Sequence, residues 1–206
     1  KGLVADIYNT HVLEQLTGSM AIGHNRYSTA GGSDLKNVQP LSVNFAFGNL
    51  ALSHNGNLIN AQVLRHELEA YGAIFQSTSD SEVIIHLIAH SRADTLLARI
   101  IDALSQVRGA FSIVLLTDDG IIAVRDPHGF RPLCLGRLGD TYFVASETCA
   151  FDLLGAEIVR EIEPGEPEAV RWRPIPPRPA PGARRPRRRP RRSVTAGPRT
   201  GRRPSP

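Results

Sequence analysis

A layered α+β domain followed by a basic tail is the fold class this sequence predicts, and three observations predict it. Helical periodicity occupies residues 60–107, β-rich runs at hairpin spacing fill residues 110–162, and residues 171–206 abandon both patterns. Strands, then helices, then an antiparallel meander make a layered α+β domain rather than a chain of alternating βαβ units. No internal repeat is visible.

The elements follow in order. Ala21–Gly23 and Leu50–Ser53 are short apolar runs that read as buried strands, and each runs into a polar cluster. Asn60 is placed to cap a helix reaching Tyr71, with Leu64, Leu68 and Tyr71 on one face. Ser79-Asp80-Ser81-Glu82 has the form of a capping box and opens a second helix, whose apolar face is Ile84, Leu87 and Ile88. A third helix spans Thr95 to Val107, with Leu97, Ile100, Ile101 and Leu104 inward. Four strands come next, Ala110–Thr117, Ile121–Arg125, Leu133–Gly136 and Tyr142–Ser146. Turn signals separate them at Asp118-Asp119-Gly120, Asp126-Pro127-His128-Gly129 and Gly139-Asp140. A short helix follows Glu147, and a last strand at Ile158–Ile162 stops at Glu163-Pro164-Gly165-Glu166.

Charge divides the chain in two. Residues 171–206 hold thirteen arginines, ten prolines and no acidic residue, whereas residues 1–170 hold 11 basic against 20 acidic side chains. The expected organisation is a domain over 1–170 and a disordered Arg/Pro tail over 171–206, because prolines remove backbone donors and like charges cannot pack a core. The two cysteines, Cys134 and Cys149, form neither a metal-ligand spacing nor a disulfide framework, which suits a reducing compartment. With no signal-like apolar stretch and no segment of about 20 apolar residues, a soluble, cytoplasmic body without a membrane partner is expected.

Three clusters carry chemistry. Gly23-His24-Asn25-Arg26-Tyr27-Ser28-Thr29-Ala30-Gly31 supplies a guanidinium, whose fork suits a substrate carboxylate. Ser53-His54-Asn55-Gly56-Asn57 contains Asn55-Gly56, which reads first as a hairpin turn and second as an oxyanion hole built from the Asn55 amide and the Gly56 N–H. Ser77-Thr78-Ser79-Asp80 supplies a carboxylate in a helix's first turn, favoured there by the helix dipole and equally able to hold a substrate ammonium. Together they suit a free α-amino acid bearing a reactive amide. His86 and His90 stand at i, i+4 but lack further ligands, so they read as ordinary helix residues and no metal site is expected.

In this order the motifs resemble the glutamine amidotransferase domain of the amidophosphoribosyltransferase family, over about Lys1 to Glu166. The resemblance rests on Ile22–Gly31, Asn37-Val38-Gln39-Pro40, Leu52–Leu58, Ser79–Glu82, Asp126-Pro127-His128-Gly129-Phe130-Arg131-Pro132-Leu133 and Val144–Asp152. It implies a four-layer αββα N-terminal-nucleophile hydrolase sandwich, here incomplete. It also implies that Arg26 holds the glutamine α-carboxylate, Asp80 the α-ammonium, and Asn55 with Gly56 the oxyanion, with Tyr27 and Thr29 among the substrate-binding residues. In the family an N-terminal cysteine attacks the amide, and the ammonia passes to a phosphoribosyltransferase domain that uses phosphoribosyl pyrophosphate in the first committed step of purine synthesis. Mg²⁺, and in some members a 4Fe–4S cluster, are implied only for the full-length family, whose members are homo-oligomeric.

The chain departs from that pattern at both ends. It begins with Lys1, without the opening strand and nucleophilic cysteine, and after Glu166 it has the Arg/Pro run in place of the phosphoribosyltransferase half. By itself it is therefore expected to be inactive, and the tail's bias is what a frameshifted reading of a G+C-rich gene would give. Three competing readings stand beside this one: a sibling class II amidotransferase, a protein binding nucleic acid nonspecifically through the tail, and a non-catalytic regulatory protein that keeps the glutamine pocket.

Overall fold

A computed structural model describes residues 4–25, 35–165 and 167–171, all within one compact unit. Apart from Arg171, the residues expected to form a disordered tail lie outside the described ones.

Two short helices, α1 (Val4–Ile7) and α2 (Thr10–Gln15), precede a single 3₁₀ turn at Leu35–Asn37. The body then runs β1 (Leu41–Phe45), β2 (Gly48–Leu58), α3 (Ala61–Ala70), α4 (Ser81–His90), α5 (Leu96–Gln106), β3 (Gly109–Thr117) and β4 (Gly120–Arg125). It closes with β5 (Cys134–Leu138), β6 (Thr141–Ala145), α6 (Cys149–Leu154), β7 (Glu157–Glu161) and β8 (Pro167–Arg171). All strand pairs are antiparallel, in a five-stranded sheet ordered β1-β2-β3-β4-β8 and a three-stranded sheet ordered β6-β5-β7. β8 has no counterpart in the sequence reading, whose last strand stops at Glu163–Glu166.

The layers follow from side-chain alternation, since successive residues of a strand face opposite ways. Leu50, Leu52, Phe111, Ile113, Leu115, Ile122 and Val124 point to one face of the large sheet, where Leu64, Leu68, Ile84, Ile88, Ile100 and Ala103 of α3, α4 and α5 close the main core. The opposite face presents Val114 and Ala123 to Leu133, Val144 and Ile162, a smaller core between the two sheets. On the far side of the small sheet Phe151 of α6 packs on Gly136, where a Cβ would sit 2.9 Å from the ring. The order is helices, sheet, sheet, helix: the αββα sandwich.

Several local expectations are corrected. Ala21–Gly23 forms no strand, and Ala21 and Gly23 are exposed, because no described strand offers this segment a hydrogen-bonding ladder. Asn55-Gly56 is not a turn but lies inside β2, paired with Ser112 and Phe111. Tyr71 and Ile101 sit on solvent faces at 79% and 48% exposure, while Leu64, Leu68 and Ile100 are buried as the periodicity requires. Asn60 does not cap α3 with its side chain, which instead donates to the Gln106 carbonyl (2.9 Å) and accepts from the Arg108 N–H (2.8 Å). The capping box is also absent. Asp80 occupies the cap position without capping, and Glu82 reaches back to the N–H groups of Gln76 and Ser77, both at 2.8 Å.

Candidate functional site

β2 is eleven residues long and β1 only five, and that mismatch builds the site. β1 covers Gly48–Leu52, so among the described residues the stretch His54–Leu58 has β3 on one side and no strand on the other. Side chains from three other segments take up this open edge. Gln39 Oε1 accepts the His54 N–H at 2.6 Å, Asp80 Oδ2 accepts the Leu58 N–H at 2.9 Å, and His24 Nε2 lies 3.1 Å from the His54 carbonyl oxygen. N–H groups of alternate residues in a strand point the same way, so the Gly56 N–H lies on that side too, between those held by Gln39 and Asp80.

Glycine is required at position 56. An added Cβ would overlap the Ala110 carbonyl oxygen and approach Phe111 Cα to 2.7 Å and His54 Nε2 to 2.8 Å. Asn55 is half-buried and projects from the opposite face of the strand to His54, beside Ser53 and its cross-strand partner Ser112.

Asp80 combines burial with a partly open carboxylate, its side chain 26% exposed. Burial alone would raise its pKa, but His54, 3.7 Å away at Nδ1, the Leu58 N–H and the Ser81 hydroxyl outweigh burial and hold it below the usual carboxylate range. The residue is anionic at neutral pH and offers Oδ1 to a cation. Beneath it His54 is buried, with Nδ1 3.0 Å from Ser81 Oγ, and Ser81 Oγ also accepts from Gln39 Nε2 at 3.3 Å.

The structure therefore brings Gly56 and Asp80 to one strand edge, while Asn55, beside Gly56 in β2, turns its side chain to the face of the strand opposite to His54. Arg26, Tyr27 and Thr29 lie outside the described residues. The sequence reading assigns no role to Gln39, His54 or Ser81, although each stands inside a block it singles out. Their only signal is that company, because nothing in a linear sequence says that residues 39, 54 and 81 meet. His86 packs on Phe75 with ring centroids 4.3 Å apart, and His90 lies 5.5 Å from Tyr71. Among the described residues no group of three or more His, Cys, Asp or Glu could hold a metal ion. The two cysteines of the chain are fewer than the four thiolates that hold a 4Fe–4S cluster. Among the described residues no helix is long and apolar enough to cross a membrane.

With this geometry in place, comparison with known proteins decides the family. The model of the glutamine amidotransferase domain matches residues 24–152. The chain belongs to that family. It is 52% identical over 166 residues to amidophosphoribosyltransferase 2, chloroplastic, of Arabidopsis thaliana, covering 80% of this chain and 30% of the relative. It is 48% identical over 167 residues to the amidophosphoribosyltransferase of Bacillus subtilis, covering 81% and 35%. Among solved structures, one described as the allosteric regulatory enzyme of purine biosynthesis superposes with a TM-score of 0.70 at 50% identity, covering 72% of this chain and 32% of that one. The B. subtilis glutamine phosphoribosylpyrophosphate amidotransferase, complexed with ADP and GMP, gives a TM-score of 0.65 at 45% identity, covering 72% and 34%. This amidotransferase domain thus spans about a third of the length of these relatives, and its sandwich is the fold they share.

Proposed function

We propose that this chain is the glutamine-binding part of an amidophosphoribosyltransferase, the part that releases ammonia from glutamine for transfer to phosphoribosyl pyrophosphate. The observation that carries the reading is the open edge of β2, where the Asp80 carboxylate sits on the Leu58 N–H and the Gly56 N–H faces the same side. Asp80 takes the α-ammonium and Arg26, with Tyr27 and Thr29, the α-carboxylate. Asn55 and Gly56 receive the amide oxygen as it gains charge. The attacking thiol is an N-terminal cysteine of the longer protein. Cys134 starts β5 and Cys149 opens α6, and both line a cavity that shares no residue with the β2 edge.

Calorimetric titration with L-glutamine tests the recognition half. Removing one partner of a hydrogen-bonded charge pair costs about 2–5 kcal/mol, so Asp80→Asn should weaken binding by roughly 30-fold or more. In a protein of the relatives' full length, Asn55→Ala should lower kcat by about 100-fold with little change in KM, because an oxyanion donor acts mainly in the transition state. Unchanged glutamine affinity in a folded Asp80→Asn variant would refute the assignment.

A further inference from the structure

Behind the open edge of β2 lies a closed set of hydrogen bonds whose donors and acceptors can be counted. Gln39 Oε1 accepts the His54 N–H at 2.6 Å, which fixes the orientation of its amide and leaves Nε2 as the group 3.3 Å from Ser81 Oγ. Ser81 Oγ has two further neighbours, His54 Nδ1 at 3.0 Å and Asp80 Oδ1 at 3.4 Å. An amide nitrogen only donates and an ionised carboxylate only accepts, while a hydroxyl gives one hydrogen and receives at two lone pairs. All three contacts are satisfied together in one way. The Ser81 hydrogen goes to Asp80, and its lone pairs receive Gln39 Nε2–H and His54 Nδ1–H.

We propose that Ser81, held by Gln39 and by the Nδ1–H tautomer of His54, is the residue that positions the Asp80 carboxylate at the open edge of β2. The proposal rests on the glutamine reading above and adds to it residues that touch no substrate. Ser81 and His54 are buried, at 0% and 3% exposure, so a ligand at the strand edge meets Asp80 first. The arrangement also explains why Asp80 forgoes the cap of α4: one oxygen is bound to Leu58 N–H and the other to Ser81 Oγ. His54 Nε2, buried beside Gly56, has no hydrogen-bond partner among the described residues.

Two measurements test this on the full chain. The first is the affinity for L-glutamine and for 4-carbamoylbutanoate, the same molecule without its α-amino group. Ser81→Ala should weaken L-glutamine by about tenfold, the scale of one hydrogen bond to a charged group, and leave the deamino compound unchanged. Gln39→Met, which keeps the side chain's length and removes its amide, should follow the same pattern and serves if Ser81→Ala does not fold. Loss of both ligands equally, or of neither, in these variants while Asp80→Asn weakens glutamine alone would overturn the positioning role and leave the ammonium assignment standing. If Asp80→Asn itself left glutamine binding intact, the ammonium assignment would fall instead. The second measurement is the ¹⁵N spectrum of His54 in the unsubstituted protein, which needs no ligand: a protonated Nδ1 is expected, and an Nδ1 without a proton would overturn the network.

Discussion

At Gly56 the backbone of β2 approaches β3 so closely that the Ala110 carbonyl oxygen fills the place of a side chain. Gly56→Ala should therefore cost about 3 kcal/mol, at the upper end of overpacking penalties. Gly23→Ala, with nothing within 4 Å of the added methyl, should stay within about 0.5 kcal/mol. Equal denaturant midpoints for the two variants would contradict this account of the strand edge. A second residue whose role is local is Asp126, fully buried at the β4–β5 turn. Its carboxylate accepts from the N–H groups of His128, Phe130 and Arg131 at 3.0, 3.2 and 3.0 Å. Burial pushes its pKa up, but the backbone donors outweigh burial and the net shift is downward. A depressed folded-state pKa means that the unfolded chain binds the proton more tightly. The stabilisation is thus complete above the unfolded value of about 3.9 and is lost as pH falls through the lower folded one. Asp126→Asn should remove about 2 kcal/mol at pH 7, on the scale of hydrogen bonds to a charged group. The gap between wild type and variant should close as the pH is lowered through that window, and a gap independent of pH from 7 to 2 would argue against a charged turn.

At the scale of elements, side chains that the sequence assigns to helix caps are spent on joining one element to another. Asn60 ties the start of α3 to the end of α5 through Gln106 and Arg108, and Glu82 ties α4 to the Gln76–Ser77 loop. Thr95, by contrast, does cap α5, accepting the Ala98 N–H at 3.2 Å. Asn60→Asp keeps an acceptor for Arg108 but sets a carboxylate oxygen against the Gln106 carbonyl. It should destabilise by about 1–2 kcal/mol, whereas a plain N-cap would accept Asp without loss. Chemical denaturation of Asn60→Asp separates the two, since an unchanged midpoint would restore the capping role.

For the molecule as a whole, the two sheets meet over a small apolar contact of Ala123, Leu133 and Ile162, with Val114 and Val144 at its margin. So narrow a seam makes each side chain in it count. Leu133→Ala should lose about 3 kcal/mol, while Leu153→Ala, 89% exposed on α6, should be close to neutral. Thermal melts of the two variants check this, and similar midpoints would mean that the sheets are held together by something other than this seam.

How much of this was legible beforehand varies with the range of the interaction. The helices over residues 61–106, the strands from 109 to 161 and the buried faces of Ile84, Leu87 and Ile88 are local consequences of periodicity and turn chemistry, and they stand where the sequence places them. The strands do not form the expected meander, however, since β4 and β5 lie in different sheets and β7 pairs with β5 rather than β6. The family, too, is written in contiguous motifs. What the sequence could not decide is which neighbour wins when a group has two uses. Asn55-Gly56 has the local signature of a turn, yet β3 pairs with it and draws it into a strand. Asp80 has the signature of a first-turn acid and Glu82 that of a capping box, yet β2 and the Gln76–Ser77 loop offer them better donors. By itself the sequence determined the α+β class, the three helices between residues 61 and 106, and the residue types of the site. The meeting of residues 39, 54, 58 and 81 on the unpaired edge of β2 was decided only by tertiary structure, because strand pairing satisfies many backbone groups at once and outweighs the single hydrogen bond that a local motif can offer.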